Sequence, residues 1–191
     1  MITAIRFFFC AICYLFFLTG CGGFSHNAIG TLEKVMTPEI MDLKLETKSI
    51  DLSKEGRCPG TLALKVDSAD TRMEPYVFFT MIGHKHYVVP KEFMELIARH
   101  MADELIASNI EIDKKNGRQI LVSLEQAKVE GTMVGEGCVT IKVEIPDIAF
   151  SKSYTGIEGS PNFYHALAYG AHLAVVELLK DPAFQKFVRC Q

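Results

Sequence analysis

Apolar positions along this chain change their spacing several times, and each change marks a predicted element. From Phe7 to Leu18 the side chains are almost all apolar and none is charged. That stretch is well short of the roughly 20 residues a helix needs to cross a hydrocarbon core. From Phe24 to Gly56 the apolar residues are scattered, with Pro38 midway and polar residues at both ends, which reads as a tether. A short helix around Thr31–Met36, or an edge strand, is the structured alternative inside it. Regular patterning begins past Cys58. Thr61–Val66 alternates with period two, as a half-buried strand does. Tyr76–Ile82 is a denser apolar run, and Gly83 separates it from His84–Val89, predicting a hairpin.

Helical spacing follows. Pro90 suits a first helical turn and Glu92 suits its dipole, while Phe93, Leu96, Ile97, Met101 and Leu105 fall on one stripe, so a helix is expected from Pro90 to about Ala107. Ile110–Ile112 reads as a short strand. Along Ile120–Val129, residues Ile120, Val122 and Leu124 share one side. Val139, Ile141, Val143 and Ile145 alternate with Thr140, Lys142 and Glu144. Pro146-Asp147 reverses the chain into a strand over Ile148–Ile157, and Gly156–Pro161 is expected to be a connecting loop with Glu158 between two glycines. Asn162–Leu179 carries Leu167, Ala171, Ala174, Val175 and Leu178 on helical spacing; Asp181-Pro182 ends it, and Ala183–Arg189 forms a helical tail. The order β–α–β–β–β–α predicts an α+β domain, a mostly antiparallel sheet with two main helices on one face.

The N-terminal pattern changes this picture from a bare domain to an exported one. One positive charge at Arg6, a short apolar segment and then small residues form a secretory signal peptide. Leu18-Thr19-Gly20-Cys21 resembles the lipobox of bacterial lipoproteins, which implies acylation of Cys21 and cleavage before it. Two or more acyl chains give a stable anchor where one is marginal. The expected organisation is therefore a signal peptide over 1–20, a lipidated N-terminus and tether over 21–57, and an α+β periplasmic domain over 58–191. Gly22, rather than Asp, follows the cysteine, and in enteric bacteria that implies delivery to the outer membrane.

Removal of the signal leaves 171 of 191 residues, with 19 basic against 23 acidic side chains. A length of this order suits one domain with its own core. No Lys/Arg cluster exceeds two neighbours, so the footprint of a nucleic-acid binder is absent. Nothing after Cys21 is long and apolar enough to span a bilayer. Cys58, Cys138 and Cys190 are the remaining thiols, and in an oxidising periplasm they predict one disulfide and one spare. Cys58–Cys190 would close both ends of the domain, leaving Cys138 free; Cys58–Cys138 is the rival pairing.

From about Thr61 to Val188 the chain resembles the YajG-type lipoproteins and related small α+β envelope lipoproteins. The resemblance is carried by "LIARHMADELIASNIEI", a helix running into a strand, by "VSLEQAKVEG", and by "FSKSYTGIEGS" followed by an Ala-rich helix and "DPAFQKFV". The Cys58–Pro90 segment and the three thiols depart from that pattern. The resemblance implies an outer-membrane lipoprotein facing the periplasm, with no enzyme chemistry to carry over.

The most pointed chemical constellation is His84-Lys85-His86. Two histidines at i and i+2 share a strand face, and neutral imidazole is a common metal ligand. A zinc site needs three or four ligands, so Cys58 or Cys138 would have to join; two half-exposed histidines on a hairpin are the plainer account. His165 and His172, seven apart on the last helix, edge its core face. There is no GxSxG, HExxH, P-loop or Gly-rich dinucleotide turn. The expectation is a non-catalytic, lipid-anchored accessory or binding protein, with an envelope protein as partner and no cofactor. Metal or small-ligand capture at His84/His86 is the alternative.

Overall fold

The computed structural model describes residues 25–36, 63–108, 110–113, 115, 117–131 and 134–189. The expected signal peptide, Cys21, Cys58 and Cys190 lie outside the described residues, and with them the expected lipidation and Cys58–Cys190 pairing. In chain order the elements are β1 (Ser25–Asn27), α1 (Ile29–Val35), β2 (Leu64–Ser68), β3 (Tyr76–Met81), β4 (His84–Val88), α2 (Pro90–Ala107), β5 (Arg118–Glu130), β6 (Gly135–Ile145), a 3-10 turn (Pro146–Ile148), β7 (Phe150–Ser160), α3 (Phe163–Lys180) and α4 (Pro182–Arg189). The α+β class holds. Among the described residues no helix is long and apolar enough to cross a membrane.

The strands form two sheets. One runs in the order β2-β5-β6-β7, the other β1-β4-β3. β5, β6 and β7 are antiparallel neighbours, while β2 lies parallel to β5. The β3–β4 hairpin is an excursion within the β2-to-β5 crossover, so it is displaced from the main sheet and pairs with β1 instead. Ile110–Ile112, expected as a strand, makes a single parallel bridge from Ile112 to Leu64.

Alternation explains the core. Ile120, Val122 and Leu124 face inward from β5, and Val139, Ile141, Val143 and Ile145 from β6, all buried. The opposite face carries Lys128 paired with Glu130, Lys142 paired with Glu144, and a Thr140–Thr155 hydroxyl contact; this is the solvated side of a one-sided sheet. A bulge between Leu124 and Gln126 resets the phase, which lets Ala127 and Val129 point inward again. Asp70 and Arg72 hold that irregularity: the Asp70 carboxylate accepts from Leu124 N–H at 3.2 Å, and the Arg72 guanidinium donates to Leu124 C=O and to Asp70.

The predicted α2 stripe, Phe93, Leu96, Ile97, Met101 and Leu105, is buried, as are Leu167, Ala171, Ala174, Val175 and Leu178 of α3. α3 is covered on several sides, by β5–β7 and by α1, α2 and α4. Asn162 caps it, its side chain accepting from Tyr164 N–H at 2.9 Å and His165 N–H at 3.3 Å. Its seat on the sheet depends on missing side chains. A Cβ at Gly156 would lie 2.0 Å from Gly170 C=O, and one at Gly137 2.2 Å from Ala166 C=O. Gly156 and Glu158 are therefore strand residues within β7, a correction to the loop expected over Gly156–Pro161.

Part of the expected tether belongs to the fold. β1 pairs with β4 in the register Ser25↔Lys85, His26↔His86 and Asn27↔Tyr87, and Ala28 and Leu32 are fully buried. Within the described residues, positions 25–36 of the expected tether therefore belong to the fold, with β1 as an edge strand and α1 over most of the helix expected around Thr31–Met36.

Candidate functional site

Two groups of imidazoles form, in opposite surroundings. The first lies where the small sheet meets the start of α3. His86 Nδ1 is 2.9 Å from the Tyr164 hydroxyl, and Phe79 stacks on Phe163 with centroids 4.3 Å apart. His26 stands edge-on to both His86 and Tyr164, at 6.1 Å from each. Partial burial, and then the proximity of His26 and His84, lower the His86 pKa below its usual value. Burial alone raises that of Tyr164. His84 is exposed at the first position of β4. Alternation places His84 and His86 on one face, but one His86 nitrogen is already engaged by Tyr164. Cys138, considered as a third ligand, sits half-buried on the solvated face of β6 opposite Lys128 and Ile157. Burial, then Glu136 and Glu130, push its thiol up toward the protonated form.

The second group lies inside, between α2 and α3. His100 Nε2 and His172 Nδ1 are 2.7 Å apart, with both residues under 5 % exposed. Glu104, one helical turn beyond His100, places Oε1 at 3.9 Å from each of those two nitrogens. Its side chain is 22 % exposed and gives the pair its polar outlet. Burial, then the neighbouring His172, push His100 down to about 3, so its ring is neutral at ordinary pH. The 2.7 Å contact is one N–H donated to one lone pair. Among the described residues, His100, Glu104 and His172 are the group whose ligand atoms converge, all within 4.8 Å.

His172 was visible in the sequence only as a core-edge residue, and His100 and Glu104 carried no motif. The available signal was a His and a Glu at i and i+4 with His100 beside the apolar stripe of α2; its partner lies 72 residues away. His165 half-buries against Tyr169, ring centroids 5.8 Å apart. The chain matches no family model, no curated protein and no solved structure.

Proposed function

We propose that the chain is a lipid-anchored envelope protein, attached through Cys21 to the outer membrane and facing the periplasm, where it acts as a non-catalytic accessory or binding protein. The observation that carries this reading is the position of β1. Ser25 follows Cys21 by four residues, a span of at most about 14 Å of extended chain. β1 runs parallel to β4, and Ser25 is in register with Lys85, directly after the β3–β4 turn. An anchor at Cys21 would therefore leave the fold at the same end as that turn. The turn presents Ile82, 89 % exposed, and Met81, 38 % exposed, apolar side chains suited to the headgroup boundary. On this reading the domain works pressed close to the bilayer, and a partner must be reached there. The resemblance to YajG-type lipoproteins agrees with the anchor and adds no chemistry.

Labelling with a palmitate analogue and detergent-phase partitioning test the anchor. The wild-type chain should label and partition, whereas Cys21→Ser should do neither and should keep its signal, running about 2 kDa heavy. A Cys21→Ser protein that is processed and partitions normally overturns the lipoprotein reading. Crosslinking in native membranes should recover one reproducible envelope protein; recovery of none counts against the binding role.

A further inference from the structure

We propose that His100, Glu104 and His172 form a binding site for a divalent transition-metal ion of the Zn²⁺ class. Two imidazoles and one carboxylate are a donor set that such ions accept, commonly with a water in the fourth position. The spacing fits. Two ligands on a tetrahedral ion with bonds of roughly 2.0–2.1 Å stand about 3.3 Å apart, and the three observed separations of 2.7, 3.9 and 3.9 Å bracket that value. A histidine pair holding only itself together has no need of a carboxylate equidistant from both contacting nitrogens. Glu104 Oε1, 3.9 Å from each contacting nitrogen, stands where a third ligand to a common centre would stand.

The framework is rigid where it must be. His100 and Glu104 are fixed at i and i+4 on α2, which presents both on one side, and His172 is fixed on α3, seated on the sheet by Gly137, Gly156 and Gly170. Entry of the ion requires both nitrogen lone pairs. The proton held between the rings moves to the donor ring's other nitrogen, the rings part by about half an ångström, and Glu104 swings in from its partly exposed position. The step is a tautomer change of the donor ring, and it releases no proton. The single carboxylate leaves the loaded centre with one net positive charge, open at its fourth position to water or to a ligand from a partner. This inference is independent of the anchor at Cys21 and would stand or fall separately.

The test uses the full chain in detergent after chelator treatment, titrated with Zn²⁺ by calorimetry and with Co²⁺ by visible absorption. One equivalent should bind, and Co²⁺ should give the intense d–d bands of a four-coordinate site. His172→Asn should abolish those bands. Glu104→Gln keeps the shape and packing of a partly exposed side chain, so it covers the case in which a core histidine variant fails to fold; it should weaken Zn²⁺ by roughly tenfold or more. His84→Ala with His86→Ala should leave the affinity unchanged. Wild-type binding no tighter than millimolar, or binding indifferent to Glu104→Gln, overturns the proposal. Loss of binding only in the His84/His86 variant overturns it in favour of the surface pair.

Discussion

The two histidine groups show how little the residue type decides by itself. His26, His84 and His86 lie on a three-stranded sheet at the edge of the molecule, among aromatic rings and partly in water. His100 and His172 lie between two helices with almost no exposure. The surface group is close in sequence where it is close in space, apart from β1, and it shares its face with Tyr164 and Phe163. The inner pair is assembled from two distant helices and meets a carboxylate instead of rings. Imidazoles on an exposed strand bond opportunistically; imidazoles held in a core must have their hydrogen bonds and protonation arranged in advance.

The sharpest way to separate the groups is to move α3. Gly156→Val would drive a branched side chain into Gly170 C=O and Ala174 N, which lie 2.0 and 2.4 Å from a Cβ there. Backbone on both sides leaves no flexible atom to yield. The expected loss is about 4 kcal/mol or more, measured by chemical denaturation, and His172 would be carried away from His100. A variant with wild-type stability would show that the helix is not seated as described.

Next in size is a direct comparison of the two groups in chelator-treated protein. His172→Ala removes a buried ring and its bond to His100, with an expected cost of about 3 kcal/mol. His86→Ala removes a half-buried ring and its bond to Tyr164, with an expected cost of about 1 kcal/mol. Equal losses would erase the distinction between an inner and an outer group.

A smaller effect should come from acid. The His86 pKa is lowered by burial and then by His26 and His84, with the Tyr164 hydroxyl at its Nδ1. The folded chain therefore holds this ring neutral while the unfolded chain, with an ordinary value near 6.5, takes up a proton first. Its contribution is complete above that value and declines as pH falls through the ordinary value toward the lowered one. Between pH 7.5 and 5.5, taken as roughly one unit either side of that value, the melting temperature should fall less in His86→Gln than in wild type. An identical fall would mean that other groups govern the acid response.

Much of the frame was legible because it is local. The period-two runs of β5 and β6, the stripes of α2 and α3, Pro90 at a helix start and Asp181-Pro182 at a helix end are properties of neighbouring residues, and each predicted core position named on them is buried. Three things were not legible for the same reason. The bulge at Leu124 is held by Asp70 and Arg72, more than fifty residues away. Gly156 and Gly159 read as loop punctuation because the close approach of α3 that requires a glycine at position 156 is tertiary. The His100–His172 contact depends on which helices become neighbours, and no spacing within either helix reveals it. An edge strand in this region is one of two expectations from the sequence, but the partner of β1, β4, lies across the whole segment from Ala28 to Gly83.

The smallest expected effect lies at the tip of the outer sheet. Ile82 has a φ of +48° and Gly83 one of +77°, the two positive values of a type I′ hairpin turn. Gly83 suits its place. Ile82 does not, since a β-branched L-residue in the left-handed region costs roughly 1–2 kcal/mol. Its side chain, nearly all exposed, gains nothing from packing on the described residues to offset that cost. Ile82→Gly relieves the strain but enlarges the freedom of the unfolded chain, which offsets roughly 0.5–1 kcal/mol. The net expectation is a gain of about 0.5 kcal/mol, read as a higher denaturant midpoint with an unchanged slope. On vesicles, the same variant should sit less deeply, because the more exposed of the two apolar side chains beside the proposed anchor is gone. Quenching of a fluorophore at Lys85 by lipid-borne quenchers measures that depth. Greater stability with unchanged quenching would mean that the tip never meets the bilayer, while the anchor at Cys21 would be untouched by that result.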